Sequence, residues 1–188
     1  MNSALSSSKA LSADAIVKVF NDLFRHSYRT CLLGGADEPL YEPARDGTPA
    51  QIFFREDYVS SALHEVAHWC IAGAARRTRI DYGYWYDPDG RSEDAQIDFM
   101  KAEARPQALE WCFSKASGVP FRLSMDNLDA PPDPAMKQAF ANAVLAQAHN
   151  FAQRGLPPRA QLMFGELGRC TGARLEAASL RFFEGDLL

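Results

Sequence analysis

Apolar side chains recur at helical spacing through Ala15, Ile16, Val19, Phe20, Leu23 and Phe24, and Ser12 stands where an N-cap belongs. A first amphipathic helix is therefore predicted as far as Ser27. Residues 1–12 ahead of it are Ser-rich and read as a flexible tail, leaving residues 13–188 as one domain. Cys31-Leu32-Leu33 reads as a short strand ending at Gly34-Gly35, and Ile52-Phe53-Phe54 as a second. Between them, Leu40 to Gly47 carries prolines and charges and is predicted to be a loop.

Asp57 is placed to cap a second helix, in which Val59, Ala62, Leu63, Val66, Ala67 and Cys70 form the buried face as far as Gly73 or beyond. Tyr82 to Tyr86 suits an aromatic strand, and Asp87-Pro88-Asp89-Gly90 suits the turn after it. A long helical pattern then runs from Ser92 to Gly118. Pro106 inside it predicts a kink or two abutting helices. Beyond a loop over residues 120–134, helices are predicted over Met136 to Gln153, Arg159 to Cys170 and Leu175 to Phe183. The fold class expected is α+β, a helix-rich single domain with a small β-sheet.

Bulk properties narrow this picture. A chain of 188 residues, 47% hydrophobic, buries one core and is short for two. A net charge of -4 lacks the dense basic face that a nucleic-acid or anionic-membrane partner favours, so neither is expected. Cys31, Cys70, Cys112 and Cys170 form no Cys-x-x-Cys pair and suggest reduced, mostly buried thiols. With no secretory pattern and no apolar run near the roughly 20 residues that span a bilayer, the expectation is a soluble cytoplasmic protein.

The chemistry lies in His64-Glu65-Val66-Ala67-His68. Two histidines four apart point the same way from a helix, so both imidazoles can reach one ion at about 2.0–2.1 Å. Glu65 comes round beside that ion, where its carboxylate can hold water or accept a proton, and is the candidate catalytic base. The competing reading is a pair of ordinary helix histidines, but the chain has only 4 histidines and the apolar face beside the motif supports the helix. An open catalytic site wants a third protein ligand. Neither His26 nor His149 is obviously paired with the motif. Glu103, Gln107 and Glu110 share one face of the following helix, so Glu103 or Glu110 can complete the site, with Glu93, Asp94 and Asp98 as outside candidates. The competing reading for each is a solvated carboxylate.

Several runs together resemble the bacterial elongation factor P hydroxylase family. They are His64-Glu65-Val66-Ala67-His68-Trp69-Cys70-Ile71-Ala72-Gly73, Asp81-Tyr82-Gly83-Tyr84-Trp85-Tyr86 with Asp87-Pro88-Asp89-Gly90-Arg91, Pro106-Gln107-Ala108-Leu109-Glu110-Trp111, Asp126-Asn127-Leu128, and Gly34-Gly35-Ala36-Asp37-Glu38-Pro39-Leu40-Tyr41. The resemblance spans about residues 12–165. It implies an enzyme that hydroxylates the lysylated lysine of elongation factor P with a metal and dioxygen. The ligands implied are His64, His68 and Glu103, Glu103 being preferred over Glu110 because it precedes the Pro-Gln-Ala-Leu run.

Such a donor set leaves positions open for dioxygen, water and substrate. Zinc fits the same ligands but lacks the redox chemistry that C–H hydroxylation demands, so Fe(II) is expected. The family's substrate side chain is long and cationic, so acidic groups are sought near the metal. Asp37, Glu38, Asp81 and Asp126 are candidates, each equally suited to a turn. Tyr82, Tyr84, Trp85 and Tyr86 can line the cavity or cradle an ammonium. Too few strands are predicted for the jelly roll of 2-oxoglutarate oxygenases, so that cosubstrate is not inferred. Two other readings remain, a zinc metallopeptidase in which Glu65 activates water, and a non-catalytic module with a structural metal.

Overall fold

The structure, a computed structural model, describes residues 10–81, 93–125, 133–173 and 175–187. Helix α1 (Ala13–Phe24) begins where the sequence places it, and the Ser12 side chain accepts from the Ala15 N–H at 3.3 Å. It ends three residues before Ser27. Strand β1 (Thr30–Ala36) does not stop at the glycine pair but runs through it with a bulge between Leu33 and Ala36. The Phe54 ring lies where a Cβ on Gly34 would be, 2.7 Å from its Cζ, and Gly35 takes φ +86° to make the bulge.

The expected loop after β1 holds a short strand, β2 (Leu40–Glu42), which pairs antiparallel with β3 (Ala50–Arg55). Proline and charge masked it because an edge strand needs only one paired side. Strand β3 is central, parallel to β1 on its other side, and its burial alternates along the strand.

Helix α2 (Val59–Ile71) carries the His-Glu-x-x-His motif. Its N-cap is Tyr58 rather than Asp57 and has no side-chain cap bond. A 3-10 turn at Arg76–Thr78 follows, and Asp81 bridges back to Tyr41 of β2. Helix α3 (Glu93–Ser117) continues through Pro106 as one element of 25 residues. The missing proline N–H costs one bond at Ala102, and the packing of α3 against α2, α4 and α5 holds the rest in register.

Helices α4 (Pro134–Arg154) and α5 (Pro158–Thr171) match the sequence reading within a few residues. The expected helix from Leu175 to Phe183 is instead a pair of 3-10 turns, Ala177–Ser179 and Glu184–Asp186. Too short to bury a full apolar stripe, this segment anchors itself through Ala177, Leu180 and Phe182. The aromatic strand at Tyr82–Tyr86, its turn and Asp126 lie outside the described residues.

One hydrophobic cluster joins the sheet to the five α-helices. It runs from Phe20 and Phe24 of α1 through Leu32 and Ile52 of the sheet to Leu63, Leu109, Phe113, Phe140 and Phe164 of the helices. The fold is α+β, helix-rich with a three-stranded sheet, and α2 sits between the sheet and α3. No helix among the described residues is long and apolar enough to cross a membrane.

Candidate metal centre

Helix α2 turns two faces to its surroundings. Its apolar face puts Leu63, Val66 and Ala67 in the core, and Trp69 into a nest of Phe20, Phe24 and Tyr28 at centroid distances of 4.9–5.6 Å. The other face carries His64 and His68 one turn apart, opposite the buried side of α3. There Glu103, Gln107 and Glu110 lie on a common stripe and are 3%, 1% and 6% exposed. A solvated helix face is thereby ruled out for them.

Each has a specific partner. Glu103 Oε1 lies 3.2 Å from His68 Nε2 and Glu103 Oε2 lies 3.4 Å from His64 Nε2. Glu110 Oε2 is 2.9 Å from His64 Nδ1, so the Nδ1 N–H donates to Glu110 and Nε2 is the nitrogen turned into the site. Gln107 donates to the Ser124 carbonyl at 2.7 Å and accepts from the Ser124 N–H at 3.1 Å, clamping the segment after α3.

The donor set was tested against a metal on the chain's own atoms. His64, His68 and Glu103 each offer one ligand atom, all within 4.8 Å of one another. The two Nε2 atoms face each other at 3.0 Å, which without an ion requires a proton between them. Glu103 Oε2 is buried and has no hydrogen-bond partner among the described residues. A buried orphan carboxylate oxygen beside two converging imidazoles is costly unless a cation completes it. Two imidazoles and one carboxylate fit a borderline divalent transition metal.

Electrostatics reflect the same crowding. Burial opposes the charge on His64, but the Glu110 hydrogen bond and the Glu103 carboxylate outweigh it and raise the ring's pKa to about 10. Burial likewise opposes the charge on Glu103, but His68 and His64 outweigh it and hold the carboxyl down at about 2. Glu110 and Glu65 are both pushed above the usual carboxylate range by burial, against the pull of the histidines.

Beside the cluster opens a pocket whose wall includes Glu65, His68 and Trp69 of α2, Tyr41 of β2, Ile52 of β3, and Arg76, Arg77 and Asp81 beyond the helix. Arg76 Nε donates to Asp81. Of the acidic residues sought near the metal, Asp81 alone is on this wall among the described residues. Asp37 and Glu38 are exposed in the turn after β1. Tyr84 and Asp126 lie outside the described residues, as does the Glu93 side chain, and Asp94 and Asp98 are exposed.

Sequence reasoning did not find Arg159. From α5 its Nη2 donates to the carbonyls of Trp69, Cys70 and Ala72 at 2.9, 3.1 and 2.6 Å, capping the C-terminus of the metal helix across 90 residues of sequence. No local pattern announces so distant a cap. Arg76, Arg77 and Tyr41 were also missed as pocket wall, because they reach it from a turn and an edge strand.

Comparison with known proteins completes these observations. The sequence profile of a family described as elongation factor P hydroxylase matches residues 19–178. A protein of Haemophilus influenzae named elongation factor P lysine hydroxylase is 48% identical over 149 residues, covering 79% of this chain and 83% of the relative.

Proposed function

Because the chain belongs to the elongation factor P hydroxylase family, we propose that it hydroxylates the lysylated lysine of translation elongation factor P in the cytoplasm, using a metal and dioxygen. The observation that supports it most is the convergence of His64, His68 and the buried Glu103 on one point beside a pocket. These three residues would hold the ion and leave its remaining positions open. Bound there, ferrous iron would supply the redox chemistry that zinc lacks: with two electrons and two protons from an external reductant, one atom of dioxygen enters the C–H bond and the other leaves as water.

The chain's own contributions follow from its geometry. Glu110 keeps the proton on His64 Nδ1, so that Nε2 is the nitrogen an ion would take in place of its proton. Glu65 reaches the pocket with a carboxyl whose pKa is raised, so it can hold and return a proton close to the ligand pair. Tyr41 gives the pocket an aromatic wall and Glu65 a carboxylate beside His68, a combination that suits the ammonium end of a long cationic side chain, while Asp81 is taken up by Arg76. The oxygen electrode tests the reading: with Fe(II) and a reductant supplied, lysylated elongation factor P is expected to raise uptake above the background of iron and reductant alone, and uptake indifferent to the substrate protein counts against it.

The five-residue motif alone also suits a zinc metallopeptidase with Glu65 activating water. Cleavage of a generic peptide library by zinc-loaded protein, abolished by Glu65→Gln, would favour that reading instead.

A further inference from the structure

Three N–H donors at one indole have no acceptor among the described residues. Trp69 Nε1, Arg77 Nε and Arg159 Nε are all buried and unpartnered. Both guanidiniums lie against the Trp69 ring, Arg159 at 4.7 Å and Arg77 at 6.0 Å from its centroid. Arg159 is already employed at the end of α2, where its Nη2 meets three carbonyls. Arg77 is not: its guanidinium makes no ion pair and no hydrogen bond among the described residues, while its neighbour Arg76 takes up Asp81. Arg77 is nonetheless held in place, because Tyr41 Oη donates to its carbonyl at 2.9 Å and its own N–H donates to Gly73.

Two cations packed on one buried ring disfavour each other. Burial and then the Arg77 charge push the Arg159 pKa down. A water would take up one orphan N–H and leave the charge unanswered, whereas an anion answers both.

We propose that the Arg77–Trp69 wall of the pocket is a binding subsite for the carboxylate group of a small organic acid. The planar fork of Arg77 matches a carboxylate, and Trp69 Nε1 supplies a further N–H donor. His68, Trp69 and Arg77 line one pocket, so an acid anchored here lies alongside the cluster of His64, His68 and Glu103. Glu65 on the same wall and the nearby Glu103 disfavour a doubly charged phosphate more than a singly charged carboxylate. The subsite stands on this geometry whichever reaction the metal centre performs.

The test is NMR of the full-length, zinc-loaded protein labelled with 15N, following the Arg77 Nε–H peak, identified by its loss in Arg77→Gln, and the Trp indole N–H peaks. Titration with acetate and succinate is expected to move the Arg77 peak and one indole peak together. The movement should saturate with a Kd below about 1 mM for succinate. Arg77→Gln should weaken the movement of the indole peak about tenfold or more, the equivalent of one charged hydrogen bond. Arg77→Lys, which keeps the charge and loses the fork, should fall between. Overturning results are an absence of saturation, a response to inorganic phosphate without one to the carboxylates, or a response that survives Arg77→Gln, which would put the acid on the zinc. Because Arg77 is half-buried on a turn, both variants are expected to fold, and equal thermal midpoints check it.

Discussion

Replacing Glu110 by Gln separates its role from that of Glu103. Glutamine keeps the volume and can still accept from His64 Nδ1 through its amide oxygen, so only the charge is lost. In the native chain Glu110 is 6% exposed and 2.9 Å from that nitrogen, close enough for a charge-assisted bond. Exchanging a charged for a neutral acceptor costs about 1–1.5 kcal/mol. Metal affinity should therefore fall about tenfold, the lower end of the range seen when a ligand's outer partner is altered. Glu103→Gln weakens a ligand itself, and the loss should exceed about 100-fold.

The assay is an anaerobic competition titration of Zn(II) and Fe(II) against a chromophoric chelator. In the metal-free protein the Glu110→Gln change also removes one of two carboxylates that disfavour each other, so stability to urea should change by less than about 1 kcal/mol. If Glu110→Gln proved as damaging to metal affinity as Glu103→Gln, or had no effect at all, the division into ligand and orienting partner would be wrong.

Three further outcomes follow from the same structure. Zn(II) at a free concentration about 1,000 times its Kd should stabilise the fold by about 4 kcal/mol and raise Tm by about 8–16 °C, reversibly with chelator; an unchanged Tm would mean that the cluster does not close on an ion. Arg159→Met keeps the stem but removes two N–H groups serving three carbonyls, and should cost about 3 kcal/mol in urea unfolding, with a loss under about 1 kcal/mol denying the capping role. With Ellman's reagent, Cys170 should react promptly in the native protein, whereas Cys31, Cys70 and Cys112 should wait for denaturant, since they are buried; fast reaction of two or more thiols would contradict the core packing.

How much of this was legible in the sequence depended on whether the signal was local. The helices α1, α2, α4 and α5 announced themselves by period and punctuation, and the spacing of His64 and His68 carried its own geometry. The stripe of Glu103, Gln107 and Glu110 was equally readable as a periodicity, but not its burial, which follows from the packing of α2 on α3. Periodicity therefore left Glu103 and Glu110 equal and only the family resemblance favoured Glu103; in the structure Glu103 lies at the Nε2 side of His64 and Glu110 at its Nδ1 side.

Strand β2 escaped because an edge position tolerates a polar, proline-flanked run. The C-terminal 3-10 turns were over-read because a few apolar residues at helical spacing do not distinguish a short helix from a segment that drops single anchors into a groove. Arg159 had no signal at all, its partners being backbone carbonyls of another helix.

The central claim is that the cluster of His64, His68 and Glu103 oxidises the modified lysine of elongation factor P. Purified without oxygen, loaded with Fe(II), and given lysylated elongation factor P, a reductant such as ascorbate and air, the protein should add one oxygen atom to the modified peptide in the mass spectrum, and Glu103→Ala should add none. An unshifted peptide from the iron-loaded native protein, or a shift that survives Glu103→Ala, would contradict the account.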